Sequence, residues 1–247
     1  MPQEQQAIAE TFSGKRVLRL QKLLNKVLKP STGLPILTTN YDRLVEVACE
    51  FSGFHVDTTA VGSYAGKFDH ARSCMGSCRG LKKRAGAYSL DHFPRAIVLK
   101  PHGSFDWYQT SDGPRRCSCD LPSSRMVITP GLNKYKQGYN APFDKHRDLA
   151  NDHIKRCSRL CVVGYGFNDD HLQVHLRDRL KAGIPALILN RSVTPTVIDL
   201  VNEAPGCVCV SMRSGTAGIT IHTQNKFEDD ATAPGIWDIG TLAEEVL

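Results

Sequence analysis

No run of apolar residues in this chain comes near the roughly 18 needed to span a bilayer. The opening MPQEQQAIAE has neither the basic nor the apolar region of a secretory signal. A spanning helix and an export signal are therefore not expected, and the cytoplasm is the expected location. Nine cysteines without an export signal read as reduced thiols rather than a disulfide framework. No internal repeat recurs, and no linker divides the 247 residues into two cores. One domain, residues 1–247, is the expectation. A composition of 41% hydrophobic and 23% charged residues supplies the core such a domain needs.

Charge is unevenly spread. The net charge of +6 is modest, but RSCMGSCRGLKKR (Arg72 to Arg84) is basic, whereas FEDD and LAEEVL near the carboxyl end are acidic. Five cations in one loop can meet phosphate or an acidic partner. The alternative is a solvated loop. No aromatic residue interleaves with these charges, so a stacking platform for single strands is missing. Nucleic acid is expected as a partner only indirectly, and a membrane not at all.

What is present is alternation. RVLRLQKLLNKVL places Leu20, Leu23, Leu24, Val27 and Leu28 at helical spacing, and KPSTG breaks it. LPILTT reads as a short buried strand and YDRLVEVACEFSG as a helix stopped by Gly53. Residues 54–92, rich in Gly, Ser and Ala with little periodicity, read as a loop-rich insertion. Order returns with a strand at Ala96 to Leu99 and another in RMVITP. FDKHRDLANDHIKRC, DDHLQVHLRDRLKAG and TPTVIDLVNEA then read as helices, alternating with the strands LCVVGYG, PALILN and CVCVSM. Strands alternating with helices of this length predict an α/β fold: a mostly parallel sheet with helices on both faces.

In such a sheet the carboxyl ends of the strands share one edge, where ligands bind. The predicted strand ends carry Thr38-Thr39-Asn40-Tyr41-Asp42, His102-Gly103-Ser104, Gly164-Tyr165-Gly166 and Asn190. Carboxamides, an imidazole, hydroxyls and glycines suit a ribose and phosphate ligand. No nucleophilic Ser or Cys stands beside a positioned base, and a glycosidase pair of carboxylates would need Asp42 with Asp169 or Asp170. Asn40 also suits the N-cap of the following helix, and His102 suits a turn.

TTNYD, KPHGS and VVGYGFNDDHL, in that order, resemble the sirtuin-like domains of bacterial defence proteins, which are NAD hydrolases. They resemble more distantly the sirtuin protein deacylases. The likeness runs from about residue 34 to about residue 192 and implies a Rossmann-like fold. It implies Asn40 and His102 as catalytic residues and Asp42 as the acid near the nicotinamide carboxamide. It places Thr39, Ser104, Gly164, Gly166 and Asn190 around NAD, with Asn190 at the adenosine ribose. NAD would be the substrate: a neutral nicotinamide leaves, and an oxocarbenium-like sugar and a placed water need support. An Asn carboxamide can orient a ribose hydroxyl and that water, and a His can take the proton. By the same resemblance the chain would act in anti-phage defence, in a homo-oligomer or beside an ATPase or sensor subunit.

The sequence departs from that family in two places. Its members begin with a strand, a Gly-Ala-Gly type loop and a helix that cradle the pyrophosphate. Nothing before residue 34 reads as this unit. Cys74 and Cys78 with Cys117 and Cys119 could form a four-thiol zinc site. However, the first pair precedes His102 and neither has a two-residue spacer, so zinc is not expected. Cys207 and Cys209 alternate with valines and read as a buried strand face. His171 and His175, four apart on a predicted helix, lack a third metal ligand. A catalytically weak nucleotide-binding or assembly subunit and an NAD-dependent protein deacylase remain the competing readings.

Overall fold

The computed structural model describes residues 2–30, 32–129, 140–167, 170–214 and 217–247, without the side chains of 84 and 170–172. Its contacts divide the chain into two compact units, Met1–Ala150 and Asn151–Leu247.

The first unit opens with α1 (Pro2–Phe12), α2 (Arg19–Leu24), β1 (Leu34–Leu37) and α3 (Leu44–Phe51). There follow β2 (His55–Asp57), β3 (Ala60–Val61), β4 (Ala65–Phe68), α4 (His70–Gly76), β5 (Cys78–Arg84) and β6 (Ala87–His92). It continues with β7 (Arg95–Leu99), β8 (Gly103–Thr110), β9 (Gly113–Cys117) and β10 (Arg125–Val127). The division between the units falls within α5 (Phe143–Arg156).

A three-stranded parallel sheet, ordered β1-β7-β2, sits at the centre of this unit. Every residue of β7 is buried, because the strand is covered on both faces. Its side chains alternate accordingly. Ala96 and Val98 pack with Leu24 of α2 and Ala48 and Cys49 of α3, while Ile97 and Leu99 pack with Leu149 and Ala150 of α5. The helix predicted from residue 16 is shorter than its periodicity suggests: Leu18, Leu20 and Val27 reach the core, but Leu28 is exposed.

Segment 54–92, read from composition as a loop-rich insertion, holds β2 to β6 and α4. β2, β3 and β4, of two to four residues, are too short to display a period, and the longer β5 and β6 are mostly exposed and bury no apolar stripe. β3 and β4 join β9, β8 and β10 in an antiparallel sheet ordered β10-β8-β9-β4-β3, whose core is Trp107, Ile128 and Phe143. β5 and β6 form a separate two-stranded hairpin, with Leu81, Tyr88 and Leu90 exposed.

The second unit contains β11 (Leu160–Val163), α6 (Asp170–Lys181), β12 (Ala186–Asn190) and α7 (Pro195–Glu203). It ends with β13 (Cys207–Met212), β14 (Ile219–Thr223), β15 (Lys226–Asp230) and α8 (Ile239–Glu245). β11, β12 and β13 are parallel, and β14 and β15 add antiparallel strands at one side. Leu189, Val210, Ile219 and Leu242 form its core.

The fold is thus mixed α/β, but the expectation of a mostly parallel sheet needs correction: antiparallel pairings outnumber parallel ones among the described residues. The reason is connection length. Parallel neighbours need a crossover of about a dozen residues or more, whereas β8–β9 and β14–β15 are joined by tight turns that permit only antiparallel return.

Candidate active site

Asn40 and His102 leave adjacent parallel strands at the same level. Leu37 of β1 pairs with Leu99 of β7, and each candidate lies three residues beyond its member of that pair. The Thr38 N–H still donates to the Leu99 carbonyl (3.0 Å). Then the Asn40 N–H turns back to Thr38 Oγ1 (3.1 Å), a local bond that lifts the chain out of the sheet and leaves Asn40 exposed. Asn40 does not cap α3. The N-cap position is Arg43, and Asp42 Oδ1 accepts the Leu44 N–H at 3.1 Å.

After β7 the chain makes a turn in which the Gly103 N–H donates to the Lys100 carbonyl (3.0 Å), with Pro101 in the second place and His102 in the third. Gly103 has φ +89°, and a Cβ there would strike the Met126 carbonyl oxygen and the Phe143 ring, so only glycine fits. The His102 carbonyl accepts the Ile128 N–H at 2.9 Å.

Loop 38–42 and the following turn are joined to each other. The Tyr41 carbonyl accepts the Phe105 N–H (2.9 Å) and the Ser104 hydroxyl (3.1 Å). The Tyr41 hydroxyl donates to the Ile128 carbonyl (2.7 Å). A cleft of about 530 Å³ borders Asp42, Leu44 and Phe105 and extends along Gln3, Glu4, Gln6, Ala7 and Arg16. Within the cleft's wall Glu4 is buried and takes three bonds from Arg43: N–H and Nε to Oε1 (2.7 and 3.0 Å) and Nη2 to Oε2 (3.2 Å). Burial alone would lower the Arg43 pKa, but the Glu4 carboxylate outweighs it and holds the guanidinium above its ordinary value.

Behind the turn lies His146, fully buried. Its Nδ1 accepts the Lys100 N–H (3.1 Å), which assigns the proton to Nε2 and makes that atom the donor to Thr59 Oγ1 (2.9 Å). Burial, with the nearby Lys100 charge, pushes the His146 pKa down to about 3. The Thr59 N–H and Ser73 hydroxyl both donate to Asp57 Oδ1 (2.9 and 2.6 Å), so the interior network is anchored in a carboxylate.

In the second unit the same register rule operates. Val163 of β11 pairs with Leu189 of β12, and the Gly164 N–H donates to the Leu189 carbonyl at 2.8 Å. Gly164 has φ +64°, and a Cβ there would meet nothing within 4 Å, so the space over this strand end is open. Asn190 Nδ2 donates to the Tyr165 carbonyl (3.3 Å), while its Oδ1 is buried without a hydrogen-bond partner among the described residues. The Gly166 carbonyl accepts from Thr194 Oγ1.

The first unit therefore gathers Thr39, Asn40, Asp42, His102 and Ser104 at one sheet edge, and the second gathers Gly164, Gly166 and Asn190 at another. Ser104 is spent on the Tyr41 carbonyl rather than left open to a ligand. Asn168, Asp169 and the side chains of Asp170 and His171 lie outside the described residues. Among the described residues no three His, Cys, Asp or Glu side chains are grouped to hold a metal. Cys74 Sγ accepts from Arg95 Nη1 (3.1 Å), and the Cys78 thiol donates to the Gly80 carbonyl (3.3 Å).

Sequence reasoning missed Glu4, Glu46, Lys100 and His146. Glu46 did leave a trace, as an acid inside the apolar run LVEVACEF. Lys100, following a buried strand, looks like an ordinary surface cation.

A mixed α/β chain with polar residues at paired parallel strand ends defines the class. The SIR2-like domain profile matches residues 35–186, and the chain belongs to that family. This membership fits NAD-dependent function of the sirtuin type. No curated protein matches the chain. Among solved structures, one described as addressing the structural basis for sirtuin substrate affinity is 15% identical, with a TM-score of 0.39; the match covers 72% of this chain and 61% of that one. A Sir2 mutant with p53 peptide and NAD is 15% identical, with a TM-score of 0.38 over 72% and 60%. The chain thus spans about 60% of the length of these structures. The family match, and not these distant likenesses, carries the assignment.

Proposed function

We propose that the chain cleaves the nicotinamide–ribose bond of NAD with water, releasing nicotinamide, ADP-ribose and a proton. The observation that carries this reading is the register Leu37 to Leu99, which delivers Asn40 and His102 to one sheet edge from neighbouring strands. In this reading Asn40 orients a ribose hydroxyl and the attacking water, since a carboxamide both donates and accepts. His102 takes the proton as general base. Thr39 and Asp42 line the nicotinamide side, with Asp42 Oδ1 partly committed to the α3 N-terminus. In the second unit, the unpartnered buried Oδ1 of Asn190 and the open space over Gly164 suit a ribose and phosphate ligand.

The setting we propose is bacterial anti-phage defence, in a homo-oligomer or beside an ATPase or sensor subunit. The order of the three motifs supports it. A reducing cytoplasm accords with nine free thiols, and no described helix is long and apolar enough to cross a membrane.

Nicotinamide release from NAD by the purified chain tests the reaction. Release by the native chain, with a loss of about 100-fold or more in both Asn40→Ala and His102→Ala, is the expected outcome. Undiminished release in either variant would remove that residue from the chemistry.

A further inference from the structure

Lys100 closes the buried strand β7, and its ammonium is almost entirely removed from solvent. A buried cation costs several kcal/mol unless each of its protons is met. An ammonium has three to place. Here they meet three acceptors on three segments: Glu46 Oε1 of α3 at 2.9 Å, Ser104 Oγ of β8 at 3.3 Å, and the Asp42 carbonyl of loop 38–42.

The Glu46 contact neutralises the charge. Burial outweighs the pull of Lys100 and leaves the Glu46 pKa above its ordinary value, and Oε2 has no hydrogen-bond partner among the described residues. If the pair served stability alone, it would need nothing further, and an apolar pair of similar volume would do as well or better. The other two acceptors set Lys100 apart. They belong to the loop that carries Asn40 and to the residues just after His102. The backbone of Lys100 is itself fixed from behind by His146 Nδ1 at 3.1 Å. The flat fork of Arg would not match this compact, three-way set of acceptors.

We propose that Lys100 is a positioning residue that locks loop 38–42 to the 100–104 turn, with Glu46 as its counter-ion. What the lock positions rests on the NAD reading above; that it holds the two segments together does not.

The test compares Lys100→Met, Glu46→Gln and the double variant by urea unfolding, nicotinamide release and amide hydrogen exchange. Lys100→Met strands Glu46 and lowers stability, and the double variant recovers most of that loss. The exchange of the Asn40 and Phe105 amides, which bond to Thr38 Oγ1 and the Tyr41 carbonyl, remains faster in the double variant than in the native chain. Its kcat falls by about 100-fold, the scale of a small misplacement, while KM moves little. Glu46→Gln alone keeps the ammonium on its other two acceptors and retains most of kcat. A double variant with native exchange at Asn40 and Phe105 would overturn the lock and leave Lys100 as a charge partner only. Native chain that releases no nicotinamide would overturn the NAD reading instead, and the exchange measurement would still decide the lock.

Discussion

His146 accepts at Nδ1 and donates at Nε2, which only the neutral imidazole can do. Its folded pKa of about 3 lies below the ordinary 6.5, so in acid the unfolded chain binds the proton first. The stability this ring contributes is complete above pH 6.5 and is lost as pH falls towards 3. The expected outcome is a urea midpoint that drops steadily from pH 6.5 to pH 4, with a shallower slope in His146→Gln, which also starts lower at pH 7. Equal slopes would assign the acid sensitivity to other groups. The placement of Asn40 and His102 at strand ends was legible in the sequence, because each stands a fixed step beyond an apolar strand. Lys100, Glu46 and His146 were not, because their roles depend on partners far along the chain: the His146 partners are 46 and 87 residues away.

Of the helices, α1 shows best how an element's purpose can hide. Its sequence, PQEQQAIAETF, has a mean character close to neutral and gives no core signal of its own. What fastens it is Glu4, buried at 5% exposure and bonded to the residue that opens α3. Removing one partner of such a pair leaves an uncompensated charge and typically costs about 3–5 kcal/mol. Because Arg43 keeps some exposure and Asp120 stands 3.7 Å from it, Glu4→Ala is expected to fall below that range, at about 2–3 kcal/mol by urea unfolding. A change under about 0.5 kcal/mol would show that α1 is held by its other contacts. The strands β1, β7, β11, β12 and β13 were readable as apolar runs and α3, α5 and α7 as periodic ones. The turn-linked β8–β9 and β14–β15 pairs were not: β14 alternates only over Ile219 to His222, and β8, β9 and β15 mix polar and apolar types without a clean period.

Across the whole molecule, nine cysteines are free and distributed over both units. Three are sealed in cores: burial raises the Cys49 and Cys209 thiols to about 12 and Cys207 to about 11. A protonated, inaccessible thiol does not attack a disulfide reagent. Titration with such a reagent should therefore count all nine in urea and at least three fewer in the native protein; nine in both would place these cores open to solvent. The coarse class was legible from the alternation of strands and helices. The antiparallel additions and the division at Ala150 were not, because neither leaves a composition shift.

The β5–β6 hairpin pairs Leu81 with Leu90 and Lys83 with Tyr88, yet the described side chains from Arg79 to Leu90 all stay in solvent. Only its base reaches the interior, where buried His92 meets the Ser77 hydroxyl at 2.9 Å. Its Ala85–Gly86 tip, already in the left-handed backbone region, is thus a natural place to splice in a tag or a reporter domain, a graft that would leave the edge carrying Asn40 and His102 unaltered.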